Sequence, residues 1–152
     1  MTTKLQDVGS LLFAGLVGIA LSDARAMVAS ADEPAPNTLS DKEKADGWKL
    51  LFDGKTTNGW RGVKKDKASD GWQAVNGVLA RVAGGGDIIT TEQFENFEFV
   101  FDWRVADGSN SGVFFRVNED CGVIQSPEYQ ILHNQKHPDG QNPKTSAASN
   151  YA

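Results

Sequence analysis

Six residues in this sequence have the types and spacing to work on a polar, uncharged ligand: Asp102 and Arg104 in FDWRV, Phe114 and Arg116 in SGVFFRV, and Glu128 and Gln130 in EYQIL. Carboxylates and amides pair with sugar hydroxyls, and an aromatic ring stacks on a sugar ring. A carboxylate beside a cation can also take a proton from carbon while the cation holds the negative charge that develops. All six sit at alternate positions of short apolar runs, and strand side chains alternate between two faces. In residues 98–105, Phe99, Phe101 and Trp103 share one parity, while Glu98, Asp102 and Arg104 share the other. In residues 112–117, Val113, Phe115 and Val117 oppose Phe114 and Arg116; in 128–132, Tyr129 and Ile131 oppose Glu128 and Gln130. If these strands are neighbours, Asp102, Arg104, Arg116, Glu128 and Gln130 form one polar surface with Phe114 as its apolar floor. The same alternation also describes the wetted side of an ordinary antiparallel sheet, where Asp102 and Arg104 would simply pair with each other.

The elements that must carry these residues read as short strands. From Trp48 onward, brief apolar runs are broken by glycine and asparagine signals, and none shows sustained apolar spacing at three and four residues. Asn76-Gly77 between two alternating segments is the strongest hairpin signal in the chain. At least six strands fit, with few and short helices. The expected class is therefore all-β, an antiparallel sandwich or jelly roll. The triple glycine at Gly84, Gly85 and Gly86 lacks the Lys-Ser/Thr ending of a phosphate loop and reads as a turn or bulge. Asn110-Ser111-Gly112 reads as a tight turn into a strand, and Trp48, Trp60 and Trp72 as core or edge packing.

Composition narrows the function classes. The 152 residues suit one globular domain, and 20 acidic against 15 basic residues give a net charge of -5. Such a chain offers no basic footprint for a phosphate backbone, so nucleic acid is disfavoured as a partner. The one cysteine, Cys121, has no partner for an internal disulfide, and no CxxC pair or Cys/His set has structural zinc spacing. No Gly-x-Ser-x-Gly elbow is present. Residues 11–21 (LLFAGLVGIAL) form an apolar run preceded by Lys4 and followed by Ala-x-Ala sites, the layout of a secretory signal cut after Ala31. A run this short does not span a bilayer, which takes ~20 residues, so no stable membrane anchor is expected after cleavage. Residues 32–47 carry two prolines and many charges and read as a polar spacer, leaving residues 48–152 as the folding part.

Five ordered strings, FDGKTTNGW (52–60), GWQAVNGVL (71–79), GGGDIITTEQFENFEFVFDWRV (84–105), NSGVFFRV (110–117) and EYQIL (128–132), resemble the 3-keto-disaccharide hydrolase domain family. The resemblance implies a concanavalin A-like jelly-roll sandwich, secretion or periplasmic export from a bacterium, and a carbohydrate partner: a glycoside whose sugar bears a ketone at carbon 3. It implies too that the sandwich is incomplete in this chain, which would be its N-terminal part. A ketone at carbon 3 acidifies the hydrogen on carbon 2, so a base can start an elimination that hydration completes. Glu128 is the expected base and Arg116 the group that holds enolate charge. Gln130 would orient sugar hydroxyls, with Asp102, Arg104 and Phe114 completing the substrate surface. A non-catalytic carbohydrate-binding module on the same sandwich is the alternative.

These residues name no cofactor, and the resemblance leaves room for a divalent metal near the end of the Glu128 strand, with His133 as its ligand. His133 and His137 have His-x3-His spacing in HNQKH, yet Pro138 and Gly140 argue for a loop rather than a chelating helix. Related sequences often carry an aspartate at the position of His133.

Overall fold

The computed structural model describes residues 3–7, 35–122 and 125–151. The apolar run of 11–21 and the expected cleavage sites lie outside them. The elements are β1 (Thr3–Asp7), α1 (Asp41–Ala45), β2 (Lys49–Leu50), β3 (Trp60–Gly62), β4 (Trp72–Val75), β5 (Val78–Arg81), β6 (Ile88–Thr90), β7 (Phe97–Phe101), β8 (Asn110–Phe114), β9 (Glu128–Leu132) and β10 (Asn150–Tyr151). Every strand pairing among the described residues is antiparallel. The all-β expectation holds, and the chain divides after Phe101 into two compact units.

The first unit holds a three-stranded sheet ordered β2-β1-β7 and the pairs β3-β6 and β4-β5. The β4-β5 hairpin turns at Asn76 (φ 49°) and Gly77 (φ 76°), the paired left-handed residues of a two-residue turn whose twist matches that of the strands. Along β7 exposure alternates residue by residue, and Phe99 stacks on Phe101 with ring centroids 4.8 Å apart. The strand stops at Phe101, however, so Trp103 does not extend that aromatic face and is 38% exposed. The expected single strand over residues 98–105 is shorter because the chain leaves the sheet at the boundary between units. Two of the tryptophans are anchored by their indoles, Trp60 Nε1 donating to Leu51 O at 2.7 Å and Trp72 Nε1 to Gly86 O at 2.9 Å. Gly86 has φ 69°, and the triple glycine lies in the irregular segment between β5 and β6.

Two segments upstream carry more structure than their composition predicts. Within residues 1–31, Thr3–Asp7 forms β1 and pairs along the whole of β7 and with β2. Within the polar spacer, Ser40 and Glu43 close a reciprocal capping box at the start of α1. Asn37 is buried (8% exposed) and donates from Nδ2 to Gly77 O at 2.9 Å, tying the spacer to the β4-β5 turn. Among the described residues no helix is long and apolar enough to cross a membrane.

Phe52 is buried at 3% exposure, and the turn after it is built by Asp53. Its carboxylate accepts from the Lys55 and Thr56 backbone N–H groups and the Thr56 hydroxyl at 2.7 to 2.8 Å. These donors hold its pKa below the ordinary 3.8. A carboxyl whose folded pKa is depressed adds stability above its unfolded pKa and loses it as pH falls through the folded one. Asp53→Asn is therefore expected to lower the melting temperature at pH 6 and to cost progressively less as pH falls below the ordinary carboxyl pKa of 3.8. Melting curves across that range decide it, and an equal loss at both ends would remove Asp53 from the acid response.

In the second unit, β8, β9 and β10 form a sheet ordered β10-β9-β8. Its register pairs Gly112 with Gln130 and Phe114 with Glu128. Asn110-Ser111-Gly112 is not the turn its composition suggests; it is the first part of β8, and the turn falls earlier, at Asp107-Gly108, where Gly108 has φ 71° and Ser109 N–H donates to Ala106 O. Among the described residues, Ile131 and Leu132 are the buried apolar residues of this unit, 6% and 1% exposed.

Candidate functional site

Paired residues on antiparallel strands place their side chains on the same face. The β8-β9 register therefore puts Gly112, Phe114, Glu128 and Gln130 on one face of the second unit, as strand parity predicts for the last three. The two ends of this face differ. Gln130, expected to face outward toward sugar hydroxyls, is 4% exposed, and its Oε1 accepts the Ile131 N–H at 3.2 Å. The last three residues of β9 are buried without alternation, so burial at this end does not follow strand parity. Glu128 and Phe114 at the other end are half-buried, so that end is where a ligand has access.

Glu128 lies in an unusual way on β8. A Cβ built on Gly112 would stand 2.5 Å from the Glu128 Cδ and 2.7 Å from its Cγ, closer than side chains approach one another. The Glu128 side chain thus occupies the space a side chain at position 112 would take.

Arg116 is not placed by alternation. The β8 ladder runs to Phe115, whose N–H donates to Pro127 O at 3.1 Å, and Arg116 then adopts φ 56°. A left-handed arginine ends the period-two pattern, so its shared parity with Phe114 carries no information about its face. It is exposed, two residues past the partner of Glu128. Asn37, Lys64, Asn76 and Ala148 share this positive φ, so the conformation alone does not single out Arg116. Asp102 and Arg104 lie outside any strand, are exposed, and form no ion pair with each other. β7 ends before either residue, so strand parity does not place them on the Glu128 face.

His133 follows β9 directly. Its Nε2 is 3.4 Å from the Asp107 carboxylate, which also takes the ammonium of Lys136. Asp107 was not distinguishable in sequence, because the contact depends on the β8-β9 register that brings the turn before β8 to the end of β9. His137 uses Nδ1 to accept the Asp139 N–H at 3.2 Å, capping the 3-10 turn Pro138–Gln141. Among the described residues no three His, Cys, Asp or Glu groups converge, and the carboxylate nearest to His133 is already neutralised by a lysine. His133 is also five residues from Glu128 along the strand direction, about 16 Å at 3.3 Å per residue. The two do not share one centre.

Comparison with known proteins agrees with the fold and with these motifs. The 3-keto-disaccharide hydrolase of Bacteroides thetaiotaomicron is 37% identical, over 62% of this chain and 40% of its own length. A solved structure from Parabacteroides distasonis, proposed to be a glycosyl hydrolase, matches with a TM-score of 0.60 at 26% identity, covering 76% of this chain and 58% of that one. The chain thus spans less than two thirds of each relative's length. Residues 47–152, which hold every strand from β2 onward and the whole Glu128 face, match the family profile itself, and the chain belongs to the 3-keto-alpha-glucoside-1,2-lyase-like domain family.

Proposed function

We propose that this chain carries the base-bearing part of a glycoside-cleaving site acting on 3-keto-glycosides by elimination and hydration. The observation that carries the reading is Glu128: a half-buried carboxylate on a strand face, set beside the aromatic ring of Phe114 on the paired strand. The family and the printed name of its 37% identical relative support the substrate class. In the reaction, the Glu128 carboxylate takes the proton from carbon 2 of the sugar. The electron pair of that C–H bond enters an enolate with the ketone at carbon 3, and collapse of the enolate expels the group on carbon 1, which takes up a proton. Water then adds across the resulting enone to give the free 3-keto sugar. Arg116 is the donor for the enolate charge in this reading, and Phe114 the surface on which the sugar ring rests.

Export accompanies the proposal, on the strength of the apolar run at 11–21 and the Ala-x-Ala sites. Cleavage after Ala31 would remove β1 and leave the facing edges of β2 and β7 to find another partner.

The test is incubation of the chain, with and without added divalent metal, with a 3-keto-glucoside and with the same glucoside unoxidised, in deuterated water. The expected result is release of 3-keto sugar carrying deuterium at carbon 2, from the oxidised substrate alone. Binding of the sugar without release or exchange would sink the catalytic reading and favour a carbohydrate-binding module.

A further inference from the structure

Gly112 is not explained by backbone conformation, since its φ lies outside the left-handed region, nor by a turn, since it sits inside β8. Glycine weakens a strand interior, so its use there has a packing cause. The cause is visible: the Glu128 side chain fills the volume that any Cβ at 112 would enter, with Cγ, Cδ and the carboxylate all inside contact distance. The neighbouring pair on the same face, Phe114 and Glu128, bounds that volume on one side, and Gln130 opposite Gly112 is itself buried on the other. The carboxylate thus lies in a volume that is open because residue 112 has no side chain, and any Cβ placed there must displace it.

We infer that Gly112 is a positioning residue, whose missing side chain fixes where the Glu128 carboxylate lies. The inference rests on the proposed role of Glu128 for its effect on catalysis, but its steric part is independent of that role. A methyl group at 112 forces the glutamate to another rotamer or pushes β8 from β9. Neither leaves the carboxylate in place, and displacement of a base by about 1 Å is enough to cost some 10²-fold in rate.

Two measurements separate the parts. The first is a thermal-stability cycle on the full chain: Gly112→Ala in the parent and in Glu128→Ala. Alanine suits a strand better than glycine, so Gly112→Ala is expected to lower the melting temperature, or prevent folding, when Glu128 is present. With Glu128→Ala it should be neutral or raise the melting temperature. The same change in both backgrounds would overturn the inference, and a Gly112→Ala chain that folds only beside Glu128→Ala would support it directly. The second is turnover of a 3-keto-glucoside. Gly112→Ala should lower kcat about 10²-fold with KM within about threefold. The double variant Gly112→Ala, Glu128→Asp should regain part of the loss, because the shorter carboxylate clears the added methyl. A folded Gly112→Ala chain with unchanged kcat would overturn the positioning role. If parent and Glu128→Gln turned over equally, the proposed function would fail while the stability cycle still decided the contact.

Discussion

Glu128→Gln is expected to slow release of the 3-keto sugar about 10³-fold, in the middle of the range that a positioned general base contributes. At 1.36 kcal/mol per tenfold, that is about 4 kcal/mol of lost transition-state stabilisation. Glutamine is the informative replacement because it keeps the length and planar end of glutamate. It fills the same seat over Gly112, so the strand pairing Phe114 with residue 128 has no reason to shift. What it loses is the ability to accept a proton from carbon. The melting temperature should stay within a few degrees of the parent, KM should change little, and deuterium incorporation at carbon 2 should fall in parallel with release. Retention of a tenth or more of the parental rate in a folded Glu128→Gln chain would mean that another group removes the proton.

The largest effect on stability is expected from Leu132→Ala. Leu132 is 1% exposed and, with Ile131, makes up the buried apolar part of the second unit among the described residues. Removing most of a fully buried leucine loses its transfer free energy and leaves a cavity, together about 2–5 kcal/mol. Small domains hold only about 5–15 kcal/mol in total, so this is a large fraction of what keeps the β8-β9-β10 sheet together. By contrast Val82, 50% exposed in the first unit, should tolerate alanine within about 0.5 kcal/mol. Urea unfolding of both variants makes the comparison. A cost below about 1 kcal/mol at Leu132 would show that this unit is held by something other than its strand core.

The two expectations concern the two ends of one strand. At its start, β9 presents a half-buried carboxylate to the side where Phe114 lies; at its end it supplies the most buried leucine among the described residues. Five residues thus combine the catalytic proposal with the packing that holds it.

Local chemistry was legible in the sequence. Asn76-Gly77 specifies its hairpin because both residues accept positive φ, and no distant contact is needed to make that turn. The strand over 128–132 and the shared face of Phe114, Glu128 and Gln130 follow from period two once β8 and β9 pair, and the ordered motifs identify the family. The tertiary structure decided what period two cannot contain. Alternation says which side chains share a face, but not where a strand ends, so Arg116 left the pattern through a left-handed backbone and Asp102 and Arg104 fell beyond β7. Alternation also says nothing about what covers a face, and Gln130 is buried on the same face on which Glu128 is half-buried. The pairing of Asp107 with His133 and Lys136, and the seat that Gly112 leaves for Glu128, arise only when separated segments meet. A sequence read along one dimension carries periodicity and turn chemistry, whereas contacts between strands are set by register, which folding alone establishes.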